Sequence, residues 1–192
     1  MIYLIVGLLL FFLNHSVRIV ADGWRSQFIE DKGVLVWRGL YTVVSLVGLG
    51  LMIYGFGLSR ADPVFLWNPP AWTRTTAIIL TLFAFFLFAA ANIPHNHIKA
   101  KLGHPMFAGT KIWAFAHLIA NGRLGDALLF GCFLVWAIVG FSAARKRDRL
   151  AGIDYGKGTL MGTALVCIAG TVVYALFAFF LHPLLIGVPI FY

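Results

Sequence analysis

Imidazole and ammonium groups in and beside the apolar run 103–122, GHPMFAGTKIWAFAHLIANG, are the strongest candidates for chemistry in this chain. Ionisable groups at membrane depth are costly to hold, and they usually serve a pathway, a partner or a cofactor. His104 and His117 stand 13 residues apart. On one helix that separation is about 20 Å of rise and more than half a turn of rotation, so the two cannot serve one small centre together. His104 precedes Pro105, which suits the first turn of a helix. His117 lies one turn from Trp113 and two turns from Gly109. Gly109, Trp113 and His117 then form a stripe with a shallow trough, an aromatic wall and one nitrogen ligand, a seat for a flat cofactor.

A second group lies at the end of the first apolar run. His15 stands in FFLNHSVR, with Arg18 one turn later on the same face, and Arg38 lies about one turn into the next run. One histidine and two arginines at one depth could hold a cofactor that carries a metal and carboxylates. The same residues also fit a structural role, with both arginines snorkelling to lipid phosphate and His15 bonded to a backbone carbonyl. His95 and His97 in IPHNHIKAKLGH are close enough to bind one metal ion, but solvated loop residues at a lysine-rich interface are the simpler account. His182, before Pro183, reads as structural. The seven acids fall in loops or at span ends, and no paired carboxylates line a membrane pathway, which argues against a proton pump or a hydrolase. No Cys-x-x-Cys-His is present, so haem could not be attached covalently in the c-type manner. The GKGT at 156–159 lacks the upstream glycine of a phosphate loop.

The elements that must position these groups are membrane helices. The 192 residues are 61% hydrophobic and 11% charged, about half the charged fraction of a soluble domain. Apolar runs approaching 20 residues recur at Ile2–Val20, 34–58, 75–92, 127–144 and 159–182. The first lacks a basic leader and a small-residue cleavage site and is expected to be a retained span. Cys132 and Cys167 fall inside spans and are expected to be buried free thiols. The net charge of +8 matches basic loops facing anionic lipid and does not point to nucleic acid.

The run 105–122 is short for a crossing, and charge decides its expected state. If it does not cross, eight basic residues face seven. If it crosses, twelve (Arg18, Arg25, Lys32, Arg38, Lys99, Lys101, Lys111 and the five from Arg145 to Lys157) gather on one side, and only Arg60, Arg74 and Arg123 lie opposite. Basic residues concentrate on the cytoplasmic side. The expectation is one all-α polytopic domain over 1–192, a six-helix bundle with a short fourth span and both termini outside.

The run HPMFAGTKIWAFAHLIANG resembles the signature of the NnrU family of bacterial membrane proteins, as do NHSVR, WRGLYTVVSLVGLGLMIYGFGLSR and the closing HPLLIGVP. The resemblance covers essentially the whole chain. It extends to the plant and cyanobacterial zeta-carotene isomerase, and it implies non-covalent haem b with two histidines on the iron. By motif these match His15 and His117, while His104 matches the histidine of the HP pair. The family often has arginine before that pair, where Gly103 stands here, which leaves a propionate or substrate role at that position without its usual residue. Depth keeps the second ligand open. From Pro105, His117 is about 18 Å along the fourth span while His15 is about 7 Å deep, so depth favours His104 and motif favours His117.

The expected function is therefore a haem b protein of the bacterial inner membrane, with Arg18 and Arg38 on the propionates and Trp113 and Gly109 beside the ring. The resemblance links it to denitrification and nitric oxide metabolism, and to isomerase-like action on a hydrophobic substrate. The alternatives are an electron-transfer or gas-responsive partner of respiratory complexes, or a haem-free methyltransferase-like membrane enzyme. The lipid bilayer, a hydrophobic small molecule and nitric oxide are the expected partners, and nucleic acid is not.

Overall fold

The computed structural model describes residues 1–191. The described chain is helical: α1 Ile2–Val20, α2 Asp22–Lys32, α3 Val34–Ala61, α4 Ala71–Asn92, α5 His97–Leu102, α6 Pro105–Ala120, α7 Leu124–Leu150, α8 Leu160–Leu176, a π-helical turn Phe177–Leu181 and α9 His182–Ile186. No strand forms among the described residues, only two isolated bridges, Phe65 with Arg123 and Asn96 with Thr159. Among the described residues five helices are long and apolar enough to cross a membrane: α1, α3, α4, α7 and the continuous stretch Leu160–Ile186. They carry large side chains on their outsides, such as Leu13 at 67% and Leu184 at 77% exposure, as lipid-facing helices do. The sequence is expected to supply six spans, and α6 is not among these five. Its 16 residues reach about 24 Å, against a hydrocarbon core of about 30 Å.

Several expected bounds move. The helix α7 continues past 144 through Arg145–Arg149, because Ala, Arg and Lys are good helix formers once a helix is under way. It stops where Gly152 takes φ +62. There the amide of Ile153 reaches back to Asp148 O (3.0 Å) and that of Gly152 to Arg149 O (3.3 Å), the paired closure of a Schellman end. His182 lies inside the last helical stretch rather than ending it. Cys167 is exposed on the helix surface, not buried, while Cys132 is half-buried.

The chain groups into two compact units. The first comprises residues 1–68 and 121–136. Its core is α1 against α3, where Leu4, Leu8 and Met52 are buried together. Glycine makes this approach possible: a Cβ on Gly48 would stand 3.0 Å from Phe11 N, and one on Gly7 would stand 2.8 Å from Gly48 O. Gly55, seven residues after Gly48 and so on the same face, meets the backbone of Leu4. Gly50 and Gly57 face open space. Small residues therefore mark only one of the two glycine faces as a packing seam. At the foot of this unit, Trp24, Phe28 and Trp37 form an aromatic cluster, with the Arg25 guanidinium 5.6 Å from the Trp37 ring centre.

The second unit comprises residues 69–120 and 137 onward. In it α4 packs on both α6 and α8. Gly170 of α8 lies against Phe86 of α4, and the Tyr174 hydroxyl donates to Ile78 O at 3.1 Å. The Nδ1 of His182 bonds Val188 O at 2.7 Å, and the Arg74 guanidinium donates to Ile190 O at 2.5 Å.

Candidate functional site

His15 sits in the first unit, on the last turns of α1. Its Nδ1 is 2.7 Å from Phe11 O, and its ring stacks on Phe11 with centres 3.8 Å apart. Tyr41 and Trp136 stand at 5.1 Å and 6.0 Å. The imidazole thus rests in an aromatic niche with its position fixed by the helix itself. One residue earlier, the Asn14 amide donates to Tyr41 O and to Ser45 Oγ, each at 2.9 Å. These bonds tie α1 to α3 at the level of the histidine. Because Nδ1–H is spent on a carbonyl, the neutral ring carries its lone pair on Nε2. Arg18 and Arg38 are both exposed.

His117 repeats the arrangement in the second unit. Its Nδ1 is 2.8 Å from Trp113 O, and the two rings lie 5.1 Å apart. Its lone pair is likewise directed to Nε2. Gly109, the third member of the stripe, does not face an open trough. A Cβ there would lie 2.7 Å from the Phe88 ring and 3.0 Å from Ala84 O, so its small size serves the approach of α4 to α6. Lys111, two residues before Trp113 in the same helix, lies with its ammonium 3.9 Å from the Phe141 ring centre, a cation–π contact that partners its charge.

His104 belongs to a different constellation. Its Nε2 is 2.5 Å from Asp148 Oδ2, the same oxygen that accepts from the Tyr155 hydroxyl. The Arg145 guanidinium lies 5.9 Å from the Tyr155 ring centre. Burial and the Asp148 carboxylate hold the Tyr155 phenol above its ordinary range, against the opposing pull of Arg145. With Nε2 donating to a carboxylate, the neutral ring of His104 keeps its lone pair on Nδ1. Gly103 explains its own presence here. It has φ +73, and a Cβ would enter the Tyr155 ring, so no side chain, arginine included, fits at that position without moving Tyr155.

The structure thus brings Trp113 and His117 together, places His15 among Phe11, Tyr41 and Trp136, and assigns His104 to Asp148 and Tyr155. Those two partners lie 44 and 51 residues from His104, and no local pattern pairs them. The one available signal was Asp148 itself, a lone acid in the basic run ARKRDR. In the first unit, Asp126 is another acid that burial makes notable: it is 4% exposed, with Arg123 and Arg60 as its charged neighbours. Among the described residues no group of three or more His, Cys, Asp or Glu could hold a metal ion. A bare ion held by three side chains has no ligand set there.

In comparison with known families, the model described as NnrU protein matches residues 3–190. Curated proteins and solved structures give no match.

Proposed function

The chain belongs to the NnrU family, and from that premise we propose that it is a multi-pass protein of the bacterial inner membrane that binds haem b non-covalently, with His15 and His117 as iron ligands. One observation carries the reading. Both imidazoles have Nδ1 tied to the carbonyl four residues back, which fixes the ring and turns the lone pair to Nε2, the arrangement that oriented metal-ligating histidines use. Their aromatic neighbours Phe11, Tyr41, Trp136 and Trp113 suit the faces and edges of a flat apolar ring. Gly109 is not part of this reading, since α4 fills the space beside it. Arg18 and Arg38 remain the proposed partners of the propionates. A bound haem would supply redox chemistry and an iron able to take a diatomic gas. The protein's own residues would hold the ring, fix the ligand tautomers and keep water out. Nitric oxide and an apolar small molecule are the proposed ligands, in keeping with the resemblance to proteins of denitrification and to the isomerase.

We also propose that α6 crosses the membrane, giving six spans. The helix α7 is 27 residues long, enough to span the bilayer. His104, just before α6, contacts Asp148 at the far end of α7, while α6 ends only four residues before α7 begins. On this reading residues 105–123 cover the depth that α7 covers. The contacts of Gly140 with Phe107 and of Lys111 with Phe141 lay α6 beside α7.

Absorption spectra of purified variants test the ligand assignment. His15→Ala and His117→Ala should each lose or convert a low-spin signal, and His182→Ala, bonded to Val188 O, should keep it. If His104→Ala abolishes the signal and His117→Ala leaves it intact, the second ligand is His104. A second reading follows from the His104–Asp148 pair, a buttressed base that could move a proton in a haem-free enzyme. A colourless protein inactivated by His104→Ala would favour it.

A further inference from the structure

The start of α5 and the start of α8 are stitched together by a set of bonds that the proposed function does not use. His95 O accepts the Thr159 amide at 2.8 Å and the Thr159 hydroxyl at 2.9 Å. Thr163 Oγ1 accepts the His97 amide at 3.1 Å. His95 itself takes φ 52, a conformation uncommon outside glycine. Asn96, 1% exposed, holds the turn: its amide donates to Ala90 O (3.0 Å) and Ile93 O (2.6 Å), and its Oδ1 accepts the Lys99 amide at 2.7 Å. Gly158 passes so close to the His97 backbone that no Cβ could be fitted, and Gly162 does the same against His95 O.

This stitching leaves a shallow groove of about 440 Å³, lined by His97, Ala100 and Lys101 on one side and by Gly156, Lys157 and Gly158 on the other. His97, Lys101 and Lys157 are all exposed. Neither lysine has an ion-pair or hydrogen-bond partner among the described residues. No acid lines the groove. Asp154, the acid nearest in sequence, is turned onto the Gly156 amide at 3.0 Å.

We propose that this groove binds a phosphate-class anion, either the headgroup of an anionic lipid or a free phosphate. Two ammonium groups and an imidazole from two separate segments converge on one small concavity that contains no acidic side chain. Lysine serves phosphate as a point charge with several donors. The groove also lies at the ends of two apolar helices, since α4 ends at Asn92 and α8 begins at Leu160, and that is the depth of lipid headgroups. It is not a phosphate loop. The charge comes from side chains of two segments, and GKGT contributes a lysine and Gly158, which is small enough to let the walls approach.

The test uses the purified full chain in micelles of phosphatidylcholine with a minority of phosphatidylglycerol, read by native mass spectrometry. The parent should retain phosphatidylglycerol preferentially. The Lys101→Gln/Lys157→Gln variant should lose about tenfold of that preference, and Arg25→Gln/Lys32→Gln, with the same charge change elsewhere, should keep it. Both lysines are solvent-facing, and an unchanged melting temperature would show that the variant is folded. Retention that withstands excess inorganic phosphate assigns the site to the lipid headgroup. Phosphate adducts without lipid preference, lost in the lysine variant, assign it to free phosphate. Equal retention by the parent and the lysine variant, equal loss in both variants, or a parent that binds neither probe, overturns the proposal.

Discussion

His15 and His117 adopt the same local arrangement on different helices: Nδ1 closes on the carbonyl one turn back, and an aromatic ring stands against the imidazole. His104 differs, because its partner is a carboxylate drawn from another helix. The first two were legible in the sequence, since a histidine inside an apolar run has few neighbours except its own helix. The His104 partners were not, because only the tertiary return of α7 brings Asp148 within reach. Tyr155 makes this cluster sensitive to alkali. Its phenol titrates above the ordinary value, so the neutral form is favoured in the fold. Its contribution is complete below about pH 10, where free tyrosine titrates, and is lost as pH rises through the folded value. Thermal unfolding in detergent between about pH 8 and about pH 11 should show a steeper alkaline loss for the parent than for Tyr155→Phe. Equal slopes would mean that the phenol is not held by Asp148.

Among the elements, hydropathy located the long helices well and their ends poorly. The continuation of α7 through Arg145–Arg149 was hidden because hydropathy reports the bilayer, whereas helix propensity and a Gly152 stop decide the end. The short helices α2 and α5 were hidden for the same reason, as both are polar segments between apolar runs. In α3 the glycines at 48, 50, 55 and 57 fall on two faces, and their spacing alone does not say which face packs. Gly48 and Gly55 touch α1, while Gly50 and Gly57 do not. Gly48→Leu should therefore destabilise the α1–α3 pair by about 1–3 kcal/mol or more, as overpacking does, and Gly50→Leu should cost less than about 0.5 kcal/mol. Melting temperatures of the two purified variants separate the cases, and equal losses would remove the assigned seam.

For the whole molecule, family membership was legible from four motif runs spread over the chain, and the match over residues 3–190 agrees. The number of crossings was not fixed by hydropathy, because α6 is short and polar residues interrupt it. Charge bias and the His104–Asp148 contact both favour a sixth crossing. Reporter fusions after Lys101 and after Arg123, on either side of α6, should therefore report opposite sides of the membrane, with Lys101 cytoplasmic. Reports from the same side would end the six-span reading. That His15 and His117 hold haem is tested by the haem content and spectrum of the purified protein. Protein made with haem precursor supplied should carry haem b extractable by acid solvent, with a reduced spectrum of the low-spin, two-histidine kind. A chain that purifies folded and colourless under those conditions would contradict it.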